Sequence, residues 1–234
     1  MQLFYAPDFE TRAELPEEEA RHCVTILRHK AGDTIEVTDG KGIFYSCVIT
    51  EVKKNSVHLA VQQRRRESPP KYKLHLAVAP TKSSDRTDWL IEKAVETGIH
   101  KITFIDTEHG ERSKVNLERC RRVAVAAMKQ SVKATLPELS DVVSFEKLCQ
   151  EAAPGLKLIA HCYDAIPRKA LAHYSAPAEG EILCCTGPEG DFSRAEVEKA
   201  LASGFESVHL GESRLRTETA ALAFCYYFYL NSTR

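Results

Sequence analysis

The chain has 234 residues, of which 43% are hydrophobic and 28% charged, the make-up of a soluble globular protein with one large domain or two modest ones. The opening stretch, MQLFYAPDFETRAELPEEEARH, is acidic and lacks the basic segment and apolar core of a secretory signal. The longest apolar run, Thr219 to Leu230, falls short of the roughly 20 residues of a membrane helix, so a cytoplasmic protein without a membrane partner is expected. The eight cysteines contain no C-x-x-C pair, which fits buried thiols in a reducing compartment; no metal is expected.

In chain order, residues 16 to 27 read as a short helix. Residues 34 to 63 then alternate with the period of half-buried strands: TIEVTDG, GIFYSCVITEV, a polar KKNS break and VHLAVQQ, with Asp39-Gly40 as a hairpin signal. This is a small all-β module over residues 1–68. The charge run and Pro69-Pro70 pair of RRRESPPKYK break regular structure and read as a linker, residues 69–71. From Tyr72 strand-like and helical runs alternate: KLHLAVAP and 85–97, KITFIDT and 117–133, LKLIAHCYD and 168–173, EILCCTG and 194–203, SVHLG and 218–230. That rhythm predicts an α/β domain over residues 72–234 with a mainly parallel sheet, and a fold of two domains overall.

A formal charge of -1 conceals uneven placement: RHCVTILRHK, QQRRRESPPKYK and ERCRR are basic. Each run alone suits a solvated face, and together they suit a polyanion such as nucleic acid. In an open α/β sheet ligands bind beyond the carboxyl ends of strands, and three such turns stand out: APTKSSDR, TGPEGDFSRAE and LGESRLRTETA. In the second, Ser193 and Glu196 are spaced as a capping box and Gly204 as the helix stop. Pro188 lacks an amide donor and Glu189 with Asp191 repel phosphate, so a phosphate-rich nucleotide is a poor ligand. The acidic turn suits either an ordinary structural role or a cofactor with ribose hydroxyls and positive charge, such as S-adenosylmethionine. In the third turn Thr217 reads as the N-cap of a last helix, buried all round, with Glu218 in its first turn. Arg214 and Arg216 stand at the helix end that disfavours cations, and so point to an anion or an RNA phosphate.

GPEGDFS followed by GFESVHLGESRLRTETAAL resembles the signature of the ribosomal RNA small subunit methyltransferase E family, knotted SPOUT-class enzymes acting on N3 of a uridine in 16S ribosomal RNA. RHCVTILRHKAGDTIEVTDGKG resembles the family's N-terminal pattern through His22, Leu27, Arg28, Gly32 and Asp33. DRTDWLIEKAVETGIHKITF resembles its Lys-x-x-Glu-x-Gly helix and strand through Lys93, Glu96 and Gly98. The resemblance implies an N-terminal PUA-like β-barrel, a C-terminal α/β domain with a deep trefoil knot, a homodimer, and S-adenosylmethionine as cofactor. Two departures stand out: Asp191 occupies the place of a second glycine, and KQSVK puts Lys129 and Lys133 where an acid and an arginine are usual.

The resemblance assigns the cofactor to Thr186, Gly187, Pro188, Glu189 and Gly190, with Leu210, Gly211, Leu215 and Thr219 opposite. It places the target uridine near the 3′ end of 16S ribosomal RNA, in the decoding region, and the partner as the small ribosomal subunit. Uridine N3 carries a proton at neutral pH, so a site must accept it and stabilise the charge left behind. Arg216 suits the charge and Glu218 the proton. RNA contacts are expected from His22, Arg28, Arg64, Arg65 and Arg66 in the first domain and from Arg86 and Arg112 beside the cofactor. The alternative is a non-catalytic RNA-binding or ribosome-assembly module that keeps the fold.

Overall fold

In the computed structural model, which describes residues 2–68 and 70–231, the chain divides into two compact units. The first takes residues up to 68 together with 125–136, and the second takes 70–124 and 137–231. Pro69, at the start of the expected linker, lies outside the described residues.

The first unit is built on a five-stranded sheet of β1 (Leu3–Tyr5), β2 (Glu14–Leu15), β3 (Thr34–Thr38), β4 (Ile43–Val52) and β5 (Val57–Arg66), ordered β1-β3-β4-β5-β2. The alternation of β4 and β5 sends Tyr45, Cys47 and Ile49, Val57 and Leu59 into one apolar cluster with Phe4, Phe9 and Leu15. At the hairpin, Asp39 accepts hydrogen bonds from Lys41 N at 2.8 Å and from the Tyr45 hydroxyl at 3.2 Å. Gly40 turns with φ 76° directly against the Tyr5 ring, where a Cβ would approach to 2.9 Å. A short α1 (Phe9–Arg12) precedes α2 (Glu17–Arg21), which widens into a π-turn over His22–Ile26, so the expected helix is present with an irregular second half. Arg64, Arg65 and Arg66 are not linker: they complete β5, where cross-strand pairing to Ile43–Tyr45 outweighs their charge run.

The second unit is a seven-stranded, wholly parallel sheet ordered β10-β12-β9-β11-β6-β7-β8. Its strands are β6 (Tyr72–Val78), β7 (Lys101–Asp106), β8 (Glu138–Ser144), β9 (Leu156–Ala160), β10 (Lys169–Ala170), β11 (Gly180–Thr186) and β12 (Glu206–His209). The helices are α3 (Ser84–Glu96), α4 (Leu117–Gln130), which ends in the first unit, α5 (Phe145–Glu151), α6 (Arg194–Ala202) and α7 (Thr217–Asn231). The central strands β6 and β11 are buried on both faces over 74–78 and 182–186, as a covered parallel sheet requires. Cys184 and Cys185 point to opposite faces of β11, and complete burial pushes both thiols well above their ordinary range. One face gathers Ala77, Ile105, Leu183 and Cys185 with Phe145, Leu148, Phe192 and Val197. Helix α7 packs against β6, β11 and α3.

Two expectations need correction here. Residues 168–173 are not a helix but the two-residue edge strand β10, whose pairing to β12 takes up Lys169 and Ala170, and a single 3₁₀ turn. Helix α7 is not buried all round: Ala221, Leu222, Phe224, Cys225 and Phe228 are buried, but Tyr226, Tyr229 and Leu230 are exposed at 41%, 42% and 62%.

Candidate functional site

Because every strand of the second unit runs the same way, the carboxyl ends of β6, β7, β9, β11 and β12 share one edge, and the loops leaving them meet there. The turn after β11 starts at Thr186, whose buried Oγ1 has no hydrogen-bond partner among the described residues. Gly187 lies against Phe192, so close that a Cβ would meet its side chain and its amide at 3.0 Å. Asp191 N donates to Pro188 O at 3.0 Å and closes the turn, with Asp191 itself at φ 65°. His109, from the loop after β7, packs on Gly190 and its Nδ1 lies 3.2 Å from the carbonyl oxygens of both Gly190 and Asp191. Glu189 is exposed, and its Oε1 accepts from Lys82 N, in the loop after β6, at 3.5 Å. The capping box expected at Ser193 and Glu196 is formed, and Glu196 also accepts from Glu108 N at 3.0 Å, binding the β7 loop to the start of α6.

The loop after β12 faces the opposite way chemically. Residues 211–216 are all exposed, Arg214 and Arg216 among them, and Gly211 adopts φ 125°, a region closed to side chains. Leu210 is half-buried and Leu215 is 38% exposed. Ala220 N donates to Arg216 O at 2.8 Å, which makes Arg216 the capping residue of α7 and Thr217 its first helical residue, against the expected N-cap at Thr217. The Thr217 hydroxyl instead donates across the site to Gly187 O at 2.9 Å, tying the two loops together. Glu218 is 5% exposed, with Arg86 Nε of α3 at 3.7 Å from its Oε1 and no described partner on Oε2. Thr219 is exposed at the same helix end.

The remaining sequence candidates are dispersed. Arg112 is exposed in the loop after β7, where Lys82 pairs with Glu111 at 2.5 Å. In the first unit His22 is half-buried, edge-on to Phe4 with ring centroids 6.3 Å apart, as a packed core-edge histidine would be. Arg28 is exposed at φ 60°. The Arg64 guanidinium stands over Tyr45 and pairs with Glu10 at 3.6 Å, and that of Arg65 lies 4.2 Å from the centre of the Phe44 ring. Lys129, one of the departures from the family pattern, forms a largely buried ion pair with Glu19.

Sequence reading missed Thr107, His109, Cys162 and Tyr163. All four directly follow strands β7 and β9, a signal available in the sequence, but their loops carry no turn signature as strong as GPEG. Thr107 is buried with its Oγ1 unpartnered, the third such oxygen among the described residues of this unit. Thr107 also lines a depression of about 430 Å³, with Asp106, Glu108, Glu146, Glu196 and Lys199, which includes no residue of 186–191 or 210–219. The site is marked by its unsatisfied polar atoms and glycine cradle rather than by that volume.

Residues 67–228 match the profile of an RNA methyltransferase domain, and residues 15–62 that of an RNA methyltransferase PUA domain. Fold and loops thus define an RNA methyltransferase with an appended PUA domain. Ribosomal RNA small subunit methyltransferase E of Bacillus subtilis is 28% identical, with 94% of this chain and 89% of that protein aligned. Among solved structures, a probable rRNA-methyltransferase from Porphyromonas gingivalis is 40% identical with a TM-score of 0.92, covering 100% of this chain and 99% of the other. A ribosomal RNA small subunit methyltransferase E from Neisseria gonorrhoeae bound to S-adenosyl methionine superposes with a TM-score of 0.83 at 26% identity, over 97% of this chain and 96% of that one. The chain belongs to the ribosomal RNA small subunit methyltransferase E family.

Proposed function

We propose that this protein methylates N3 of a uridine near the 3′ end of 16S ribosomal RNA, within the small ribosomal subunit, using S-adenosylmethionine. The observation that carries the reading is Glu218: a buried carboxylate at the loop edge with one oxygen held near Arg86 and the other without a partner. A buried acceptor left unsatisfied costs on the order of 1–3 kcal/mol, which a donor from water or a ligand relieves; Glu19 Oε2 in the first unit is unpartnered too, and what singles out Glu218 is its place at the loop edge.

The second unit fits the cofactor. Thr186 Oγ1 supplies an unpaired polar atom for a ribose or amine group, and the acidic turn with Glu189 and Asp191 favours a cation over a phosphate. Gly187, Pro188 and Gly190 present main chain, and Leu210, Gly211, Leu215 and Thr219 form the facing wall. When bound, S-adenosylmethionine supplies an electrophilic methyl group on a sulfonium. Thr217 fixes the spacing of the two walls through its bond to Gly187 O. Glu218 accepts the N3 proton at Oε2, directly or through water, and Arg216, exposed at the mouth of the loop, meets the negative charge that spreads onto the uracil carbonyl oxygens. Holding the reacting groups in line supplies on the order of 7–11 kcal/mol of the barrier.

Arg86 and Arg112 beside the cofactor, and His22, Arg28, Arg64, Arg65 and Arg66 in the first unit, are the proposed RNA contacts; the exposed guanidiniums on β5 support the last three. The reading includes a closed PUA-like barrel over residues 1–68, a linker at 69–71, a deep trefoil knot in residues 72–234, a homodimer and a cytoplasmic location. Insertion of β12 between β10 and β9 supports the knot, and the exposed Tyr226, Tyr229 and Leu230 on α7 support the dimer. Among the described residues no helix is long and apolar enough to cross a membrane.

The test is deletion of the gene followed by nuclease digestion and mass spectrometry of 16S ribosomal RNA. Loss of one N3-methyluridine is expected, restored by the wild-type chain. An unchanged N3-methyluridine content overturns the enzyme in favour of a non-catalytic RNA-binding module.

A further inference from the structure

Asp191 stands where the resembled family carries a second glycine, yet its backbone keeps a glycine-like conformation, with φ 65°. Aspartate and asparagine tolerate this region better than other side chains because a short polar group can bond locally. Asp191 does so with both oxygens: Oδ1 accepts from Phe192 N at 2.8 Å, and Oδ2 accepts from Cys162 N at 2.7 Å.

The second bond reaches a different loop. Cys162 lies two residues beyond β9, the strand between β12 and β11. Its neighbours reach both sides. The Tyr163 hydroxyl donates to Phe192 O at 2.9 Å, again in the turn after β11. Tyr163 N donates to His161 Nδ1 at 3.2 Å, which leaves Nε2–H to donate to Ser207 Oγ on β12 at 2.9 Å. Residues 161–163 therefore form a spacer between the two strands whose loops make the walls of the site, and the Asp191 carboxylate fastens the turn to that spacer. A glycine at 191 would keep the backbone path and leave Cys162 N without this acceptor.

We propose that Asp191 is a positioning residue for cofactor binding: its carboxylate latches the Gly187–Gly190 turn to the loop after β9 and so sets the shape of that turn. The inference rests on the methyltransferase reading above. It is specific to this chain's departure from the family pattern and needs no contact between Asp191 and the cofactor itself.

The experiment compares wild type with Asp191→Gly and Asp191→Asn in the full-length protein, measuring S-adenosylhomocysteine affinity by calorimetry, steady-state methylation, and thermal unfolding without ligand. Asp191→Gly preserves φ and removes the latch. It should weaken S-adenosylhomocysteine binding and raise the KM for S-adenosylmethionine about tenfold, the effect of one charge-assisted hydrogen bond, with kcat at saturating cofactor within about twofold. Asp191→Asn keeps an acceptor for only one of the two amides and should fall between, and it stands as the test should the glycine variant fold poorly. A variant that binds and turns over like wild type overturns the latch, as does one that loses thermal stability or kcat without a change in KM. Wild-type protein that binds no S-adenosylhomocysteine would instead remove the cofactor reading and the latch together.

Discussion

The two loops that wall the site differ in how they are held. The turn after β11 is tied from four sides: by His109, by Cys162 and Tyr163, by the Thr217 hydroxyl and, more loosely, by Lys82 N. The loop after β12 is exposed from Gly211 to Arg216, and among the described residues the side chains of Arg214 and Arg216 take no ion pair. An acidic wall built in advance stands beside a basic wall left to be completed by its ligand. Under the proposed function, preorganisation falls on the turn given to the small cofactor, and exposure on the arginines given to the polyanion.

The largest effects should come from the two charged residues given roles in the proposed reaction, Arg216 capping α7 and Glu218 in its first turn. Glu218→Gln keeps the shape and removes the proton acceptor. Methyl incorporation from labelled S-adenosylmethionine should fall about 10²–10⁴-fold, the span of general-base catalysis, and retained activity would reduce Glu218 to helix support. Arg216→Ala should cut the same rate about 10²–10³-fold. Its thermal midpoint should stay within about 1 °C of wild type, because the side chain is exposed and unpaired.

The rigid wall answers to smaller insults. Gly187→Ala forces a methyl group against Phe192, and urea denaturation should show a loss of about 1–3 kcal/mol, with S-adenosylhomocysteine no longer raising the unfolding midpoint. Thr217→Val removes the tie to Gly187 O and should cost about 1 kcal/mol, whereas Thr217→Ser should restore it; equal stability of the two variants would break the link between the loops. The smallest effect concerns pH. Burial lowers the pKa of His75, His100 and His161 from the ordinary 6.5, so the folded state keeps them neutral while the unfolded chain protonates them. Their contribution is present above about pH 6.5 and is lost as pH falls below it. Denaturation at pH 7.5 and 5.5 should show the lower value at 5.5, and His75→Gln should shrink the difference.

Legibility in the sequence followed the strength of local pattern. β3 to β5 announced themselves by alternation, β6, β7, β9, β11 and β12 by apolar runs, and the bounds of α6 by Ser193, Glu196 and Gly204. β1, β2 and α1, two to four residues each, are too short to carry a period, and α5 has only seven. β8, at a sheet edge, is only partly buried, and so shows no apolar run. In the site, the charges of Arg216 and Glu218 were visible because they contradict or complement a helix dipole. The pairing of Glu218 with Arg86, 132 residues away in sequence (218 minus 86), and the tie from Asp191 to Cys162 depend on strand order, which no local pattern encodes.

Ala134 belongs to the first unit although it lies far along the chain. It packs with Leu3 and Phe44, its carbonyl accepts from the Thr38 hydroxyl at 3.1 Å, and its amide donates to Glu67 at 3.1 Å. A purified fragment ending at Ser68 would lack that wedge, exposing the Leu3–Phe44 surface to solvent and removing the partners that Ala134 gives Thr38 and Glu67. RNA-binding assays on such a fragment would measure a damaged module, and grafting 125–136 back by circular permutation is the route to an intact one.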